Sequence, residues 1–245
     1  MKKVGVAILG LGVVGGGTYQ TLVEHKDFYL QTQQVEISVE MVLDKALDRL
    51  KQLNVPEECI AKSIEEVLAN PNVDIVVETI GGIGVAKDFV TAALREGKTV
   101  VTSNKELICK FSHELERIAK RNRCGLYYEA SCVGGVPIIR TLLDGMQANH
   151  IQSMMGIVNG TTNYMMTRME KEDISFEDVL RQAQEKGYAE RNPEADIEGH
   201  DACRKICILS DLCFGKNVSP ESVSTRGITC VTAEDTALAE KLQFG

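Results

Sequence analysis

A carboxylate and a lysine with helical spacing form the most chemically suggestive pair in this sequence. Five acidic residues crowd the stretch 187–205, and the last of them, Asp201, lies four positions before Lys205. Residues four apart share one face of a helix. Because the segment 201–213 is apolar on most sides, we expect a buried helix whose first turn faces a polar cavity, where a lysine is suited to proton transfer. The alternative is a surface ion pair contributing only about 0.3–0.5 kcal/mol.

A glycine cluster near the N-terminus predicts a site for a dinucleotide. Gly10, Gly12 and Gly15 have the Gly-x-Gly-x-x-Gly spacing, directly after an apolar run rich in valine and isoleucine. These glycines permit a tight turn, a close approach of the backbone to a pyrophosphate, and close packing of helix on strand. The helix start at Val13 and Val14 would then offer its N–H groups to the phosphates. A glycine-rich turn without a ligand is the alternative.

Further polar residues follow other predicted strands, where the ligand crevice of a parallel sheet lies. Asp44 ends the second strand and could bind the ribose hydroxyls, or it is an ordinary turn residue. No arginine lies beside it, which slightly favours NAD over NADP, although Lys45 or Arg49 could bind a 2′-phosphate instead. Thr79 and Gly81 follow the third strand, and Ser103 and Lys105 follow the fourth. Lys105 could equally be a surface lysine that starts a helix.

The remaining polar residues suggest a zwitterionic ligand. Glu190 and Asp196 could receive an ammonium group. Gly160 and Thr161 would place free backbone N–H groups at a helix start, which suits a carboxylate. Combined with two lysines and a nicotinamide site, these features predict an amino-acid substrate with an oxidisable side chain.

The elements that must position these residues alternate between strand and helix, which is typical of a parallel sheet covered on both faces. We predict a Rossmann-type, doubly wound α/β domain over residues 1–135 and an α+β substrate and dimerisation domain over 136–245. The predicted strands cover residues 4–10, 35–43, 74–78, 98–103, 125–130 and 151–158. The predicted helices cover residues 14–25, 45–53, 60–69, 84–96, 106–122, 137–149, 176–186, 201–213 and 232–243.

Composition narrows the class of protein. The 245 residues carry a formal net charge of −8, which disfavours nucleic acid and anionic membranes as partners. No apolar run reaches the roughly 18 residues of a membrane span, and the glycine-studded N-terminus does not fit a signal peptide. The eight cysteines form no Cys-x-x-Cys pair, so we expect free thiols in a reducing cytoplasm.

Several motifs in the same order resemble those of homoserine dehydrogenases. The resemblance extends over essentially the whole chain. The matching residues are Gly10 to Gly17, Ser103 to Glu106, Glu129 to Pro137, Gly156 to Tyr164, and, within 183–205, Ala183, Gly187, Tyr188, Ala189, Asn192, Pro193, Asp196, Ile197, Gly199, Asp201 and Lys205.

The resemblance implies reversible reduction of aspartate 4-semialdehyde to homoserine with NADH or NADPH, in threonine and methionine biosynthesis. It assigns Lys105 and Lys205 as acid/base candidates, with Asp201 orienting Lys205. Glu190 would hold the amino-acid end together with the backbone at 160 and 161, and Asp196 would complete the pocket.

The resemblance also implies a sodium loop, in which the ligands would be the Glu129 carboxylate and the carbonyls of Cys132, Gly134 and Val136. A plain turn is the alternative. Family members continue beyond the point where this chain stops, so we expect a C-terminally incomplete substrate domain, and a homodimer only if the domain is complete.

Two rival functions remain open from the sequence. One is a nucleotide-binding fragment without turnover, because of the missing C-terminal part. The other is an aldehyde dehydrogenase that acts through a thioester on Cys132, although no activating base lies nearby in the sequence.

Overall fold

The computed structural model describes residues 2–172 and 174–243 and divides into two compact units. These are Met1–Gly135 and Val136–Gly245. Each unit has its own core, and each is described separately below.

The first unit is built on a five-stranded sheet with the order β2-β1-β3-β4-β5. Every pair of neighbouring strands is parallel. Strand order reverses between β1 and β3, the place where such sheets open a crevice at their carboxyl ends. The strands are β1 (Lys2–Leu9), β2 (Val35–Leu43), β3 (Ile75–Glu78), β4 (Thr99–Thr102) and β5 (Leu126–Tyr127).

Helices connect these strands and flank the sheet. They are α1 (Val13–Glu24), α2 (Lys26–Gln33), α3 (Leu47–Gln52), α4 (Ile64–Ala69), α5 (Gly84–Arg95) and α6 (Lys105–Arg121). The central strand β1 is fully buried at Ile8 and Leu9. A strand covered on both faces must be apolar at successive positions, which explains its run of aliphatic residues. The predicted Rossmann-type α/β fold of this part of the chain is confirmed.

Two details of the first unit differ from prediction. The loop expected between α1 and β2 contains a helix, α2, whose described residues are all at least partly exposed. An exposed helix has little apolar periodicity, so the pattern gave no sign of it. The predicted strand 125–130 is wrong beyond Tyr127, because a 3₁₀ turn at Glu129–Ser131 ends it.

The regular elements in the described part of the second unit are helices, joined by irregular segments such as 146–159. Its helices are α7 (Gly160–Glu172), α8 (Phe176–Glu185), α9 (Glu194–Ile197), α10 (His200–Phe214) and α11 (Ala233–Lys241). The core between α7 and α8 contains Met165, Met169, Val179 and Ala183. Side chains cap two helix starts: Ser175 accepts from the Asp178 N–H, and Thr232 and Asp235 form a capping box.

Two predicted elements of the second unit are wrong. Residues 151–159 form no strand, and Met155 and Ile157 are largely exposed. A strand needs a neighbour for its backbone groups, and every strand in the described part of the chain belongs to the sheet of the first unit. The predicted helix 137–149 is wrong at both ends, because only residues 139–140 are α-helical and Thr141–Gly145 form a π-helical turn.

Within residues 2–172 and 174–243, no helix is long and apolar enough to cross a membrane.

Candidate active site

The glycine turn after β1 has the geometry that its spacing predicts. Gly10 has a φ of +91°, a left-handed conformation that favours glycine. A Cβ on Gly15 would lie 1.9 Å from the Gly10 carbonyl oxygen, so only glycine allows α1 to pack this closely. A Cβ on Gly12 would meet nothing within 4 Å, so the space beside this residue is open. The turn therefore fits a dinucleotide, whose phosphates would lie beside Gly12 and the exposed Val13 and Val14.

Hydrogen bonds from the Thr79 side chain connect the turn after β3 to the glycine turn. The Thr79 hydroxyl donates to the carbonyls of Leu9 and Gly10 at 3.1 and 2.8 Å. Gly81 follows with a φ of +80° and an open side-chain position. The carboxyl ends of β1 and β3 are thus held together at the strand-order reversal.

Asp44 also stabilises the glycine turn. One carboxylate oxygen accepts a short hydrogen bond from the Leu11 N–H, and the other accepts from the Ala46 N–H at 2.6 Å. Each oxygen has a second lone pair, so the carboxylate keeps capacity for a ribose hydroxyl. Sequence reasoning named Asp44 as a ligand residue and did not foresee that it supports the turn.

A buried carboxylate organises the ends of β3 and β4. Glu78 is fully buried and accepts from the N–H groups of Ile80 and Gly81 at 2.8 and 3.2 Å. Its other oxygen accepts from the Thr102 hydroxyl at 2.6 Å. Asn104 donates to the Gly82 carbonyl at 2.6 Å. These bonds fix the turn at residues 79–82 relative to the start of α6.

Lys105 is the first residue of α6, and it is partly buried. Asn104 caps this helix by accepting from the Leu107 N–H at 3.1 Å. Ser103, also partly buried, is the residue between the end of β4 and the capping residue Asn104. Ser103 and Lys105 therefore both lie at the carboxyl end of β4, at the same edge of the parallel sheet as the glycine turn.

In the second unit, Lys205 and Asp201 form a buried ion pair on α10. The Lys205 Nζ lies 2.6 Å from the Asp201 Oδ2, and the two side chains are 11% and 6% exposed. The same Nζ donates to the Val158 carbonyl at 2.6 Å. The prediction of a buried helix is confirmed, because residues 201–213 are all buried or partly buried. A surface ion pair is excluded.

Asn159 connects this ion pair to a second acid. Its Nδ2 donates to the Asp196 Oδ1 at 2.8 Å and to the Asp201 Oδ2 at 2.9 Å. Its Oδ1 accepts from the N–H and the hydroxyl of Thr162 at 2.8 and 3.0 Å. Asn159 is therefore the N-cap of α7 and a bridge between two carboxylates.

The predicted binding site for a ligand carboxylate lies at the start of α7. Gly160 and Thr161 occupy its first two positions, where N–H groups have no partner within the helix. The Thr161 hydroxyl donates to the Tyr188 carbonyl at 2.7 Å, which ties α7 to the segment carrying Glu190. Glu190 is exposed, and its backbone carbonyl accepts from Gln184 at 3.1 Å.

The residues expected to bind sodium lie around a tight turn. Glu129 begins the 3₁₀ turn, and Cys132 is fully buried. Gly134 is exposed, as is Val136, which begins the second unit. Sodium is a hard cation that prefers oxygen ligands, and the carbonyls and the Glu129 carboxylate of this turn can supply them.

Sequence reasoning missed two polar hubs of these sites. Glu78 was noted only as a strand end, and Asn159 only as part of a helix start. A sequence signal existed for Asn159, because asparagine directly before a helix is a preferred N-cap. No signal linked it to acids 37 and 42 positions further along the chain.

Comparison with known proteins identifies two family profiles in the chain. The profile described as "Homoserine dehydrogenase, NAD binding domain" matches residues 10–129, and "Homoserine dehydrogenase" matches residues 137–244. The homoserine dehydrogenase of Bacillus subtilis strain 168 is 41% identical over the whole chain. The chain spans little more than half of that relative, at 56% of its length.

Solved structures give the same result. A homoserine dehydrogenase from Thiobacillus denitrificans superposes with a TM-score of 0.91 at 39% identity, over 99% of this chain and 56% of the other. A protein from Archaeoglobus fulgidus, provisionally named homoserine dehydrogenase, has a TM-score of 0.86 at 32% identity, over 98% of this chain and 77% of its own. A hyperthermophilic archaeal homoserine dehydrogenase in complex with NADPH has a TM-score of 0.79 at 28% identity, over 94% and 76%.

Proposed function

The chain belongs to the homoserine dehydrogenase family, and from this premise we propose that it interconverts homoserine and aspartate 4-semialdehyde with a nicotinamide cofactor. The observation that carries the proposal is the buried Lys205, held by Asp201 and the Val158 carbonyl. A fixed ammonium in a water-poor setting can both give a proton and stabilise a forming alkoxide.

Lys205 acts at the oxygen of the substrate side chain. The bound nicotinamide supplies or accepts the hydride at the neighbouring carbon. In reduction, the ammonium of Lys205 donates its proton to the aldehyde oxygen as negative charge develops there. In oxidation, the neutral amine removes the hydroxyl proton. Asp201 orients the amine in both directions.

The second unit also supplies the groups for the amino-acid end. Glu190 and Asp196 bind the substrate ammonium, and the N–H groups of Gly160 and Thr161 bind its carboxylate. Support comes from the Asn159 and Thr161 hydrogen bonds, which connect the start of α7 to the acidic segment. Lys105 is the second acid/base candidate, at the carboxyl end of β4.

The cofactor site consists of Gly10, Gly12, Gly15 and the residues after β2 and β3, including Asp44. We propose NAD in preference to NADP, because the carboxylate of Asp44 directly follows β2 and no arginine lies beside it. The Michaelis constants for the two cofactors decide between them. A tenfold preference for NADPH would overturn this part of the proposal.

Three properties complete the proposal. Sodium binds at the Glu129 carboxylate and the carbonyls of Cys132, Gly134 and Val136. The assembled protein is a homodimer in the cytoplasm. The free thiols of the described cysteines support a reducing location. Activity in sodium salts compared with activity in lithium salts tests the sodium site, and sedimentation tests the homodimer.

The deciding experiment is the absorbance change at 340 nm when this 245-residue chain meets homoserine and each cofactor. Turnover supports the proposal. Cofactor binding by calorimetry without turnover would instead support a nucleotide-binding fragment. Iodoacetamide separates the remaining rival, because a thioester enzyme would lose its activity. We expect the activity to survive, and peptide mass spectrometry checks that the reagent has reached Cys132, which is fully buried.

A further inference from the structure

We propose that Asn159 is a positioning residue for this site, an inference that rests on the proposed function. Its amide sets the separation of Asp196 from Asp201, and through Asp201 it sets the place of Lys205. Asn159 is 8% exposed, and its two donor hydrogens and two acceptor lone pairs are all engaged.

The orientation of the Asn159 amide follows from its four neighbours. Two carboxylates lie against Nδ2, and a backbone N–H lies against Oδ1. The reversed amide would direct its oxygen at two carboxylates and its NH₂ at a donor. Only one orientation therefore satisfies the network.

Asn159 acts on the ion pair between Asp201 and Lys205. Asp201 Oδ2 accepts from both Asn159 and Lys205, so the amide shares the carboxylate that pairs with the ammonium. Asp196 is held by the other hydrogen of the same amide. Without this donor, the two carboxylates would lose the amide that they share, and like charges held close repel.

The backbone strengthens this coupling. Val158 and Asn159 are consecutive residues, and the first holds Lys205 through its carbonyl while the second holds both acids. The next two residues begin α7 and form the proposed binding site for the substrate carboxylate. The segment 158–161 thus positions Asp196, Lys205 and the N–H groups at the start of α7 together. Asn159 need not touch the substrate to affect both binding and turnover.

The test is N159D, with N163D as the matched control. N159D keeps the oxygen that caps α7 and replaces the bridging donor with a third carboxylate. Asn163 is exposed on the same helix, so N163D makes the same chemical change at an exposed side chain instead of a buried one. We expect N159D to lose about 100-fold in kcat/KM for homoserine, and N163D to stay within about threefold of wild type.

The kinetic pattern distinguishes positioning from damaged folding. N159D should lower kcat and raise KM for homoserine together, while its cofactor Kd by calorimetry is unchanged. A variant that only folds less completely loses kcat and keeps its KM. Equal effects of N159D and N163D, or unchanged KM for homoserine, would overturn the proposal. If N159D does not fold, N159S, which keeps a capping hydroxyl and lacks the bridging amide, takes its place with the same expected pattern.

A second measurement decides the case in which wild type shows no turnover, a result that would reject the proposed function itself. Acetic anhydride acetylates lysines according to how accessible their amines are, and the extent at Lys205, whose side chain is 11% exposed, is read by peptide mass spectrometry. N159D removes the donor that holds Asp201 beside Lys205, so it should speed acetylation of Lys205 by about threefold or more relative to the other lysines. N163D should not. Equal rates in all three proteins would overturn the role of Asn159 independently of activity.

Discussion

The buried ion pair on α10 allows stability and catalysis to be separated by substitution. K205M removes the ammonium and keeps an unbranched side chain of similar length. Asp201 then loses a partner 2.6 Å away while its side chain is only 6% exposed. Breaking a buried pair from one side costs about 3–5 kcal/mol, a large part of the roughly 5–15 kcal/mol that stabilises a domain.

The double variant D201N/K205M removes both charges. The asparagine oxygen still accepts from Asn159, so no charge is left buried without its counterion. We expect it to recover more than half of the stability that K205M loses. Turnover should not recover, because both variants lack the acid/base group, and kcat should fall by about 10²–10⁴ in each.

Urea unfolding followed by far-ultraviolet circular dichroism, with hydrogen exchange of α10, measures the stability of the three proteins. The absorbance at 340 nm measures turnover, and calorimetry with the cofactor checks that the first unit is intact. Near-normal turnover in K205M would refute the role of Lys205. A double variant no more stable than K205M would refute the energetic interpretation of the pair.

Two further predictions concern the first unit and the thiols. G15A should weaken cofactor binding by about 100-fold in calorimetry, since its methyl group would overlap the Gly10 carbonyl; G17A, whose Cβ would meet nothing within 4 Å, should bind normally. Equal binding by both variants would contradict this packing. With iodoacetamide at pH 7.5, the exposed Cys230 should react first. Burial chiefly raises the pKa of the Cys59 thiol, with Glu58 and Glu40 adding to it, so its alkylation should accelerate only at a higher pH than that of an ordinary thiol. Rapid modification of Cys59 at pH 7.5, read by mass spectrometry, would contradict that burial.

Local patterns predicted the first unit well, because its elements are determined by short-range rules. The alternation of apolar runs and helical periods gave β2 over 35–43, and the structure has it at Val35–Leu43. The glycine spacing predicted both the turn and its close packing on α1. The buried face of α10 also followed from periodicity, since few polar residues interrupt it.

Prediction failed where a distant partner decides the outcome. The segment 151–158 is rich in apolar residues, but pairing makes a strand, and no partner strand exists among the described residues of its unit. The short β5 ended early for a different, local reason, because a 3₁₀ turn at Glu129–Ser131 competes with extension of the sheet.

The residue types that can do chemistry here, and the helices α6 and α10 that carry both lysines, follow from the amino-acid order alone, because helix spacing and turn chemistry act over a few positions. Only the tertiary structure decided that Asn159 lies between Asp196 and Asp201, and that Glu78 is joined to the Thr102 hydroxyl. Such bonds join residues tens of positions apart, and their geometry depends on how whole elements pack.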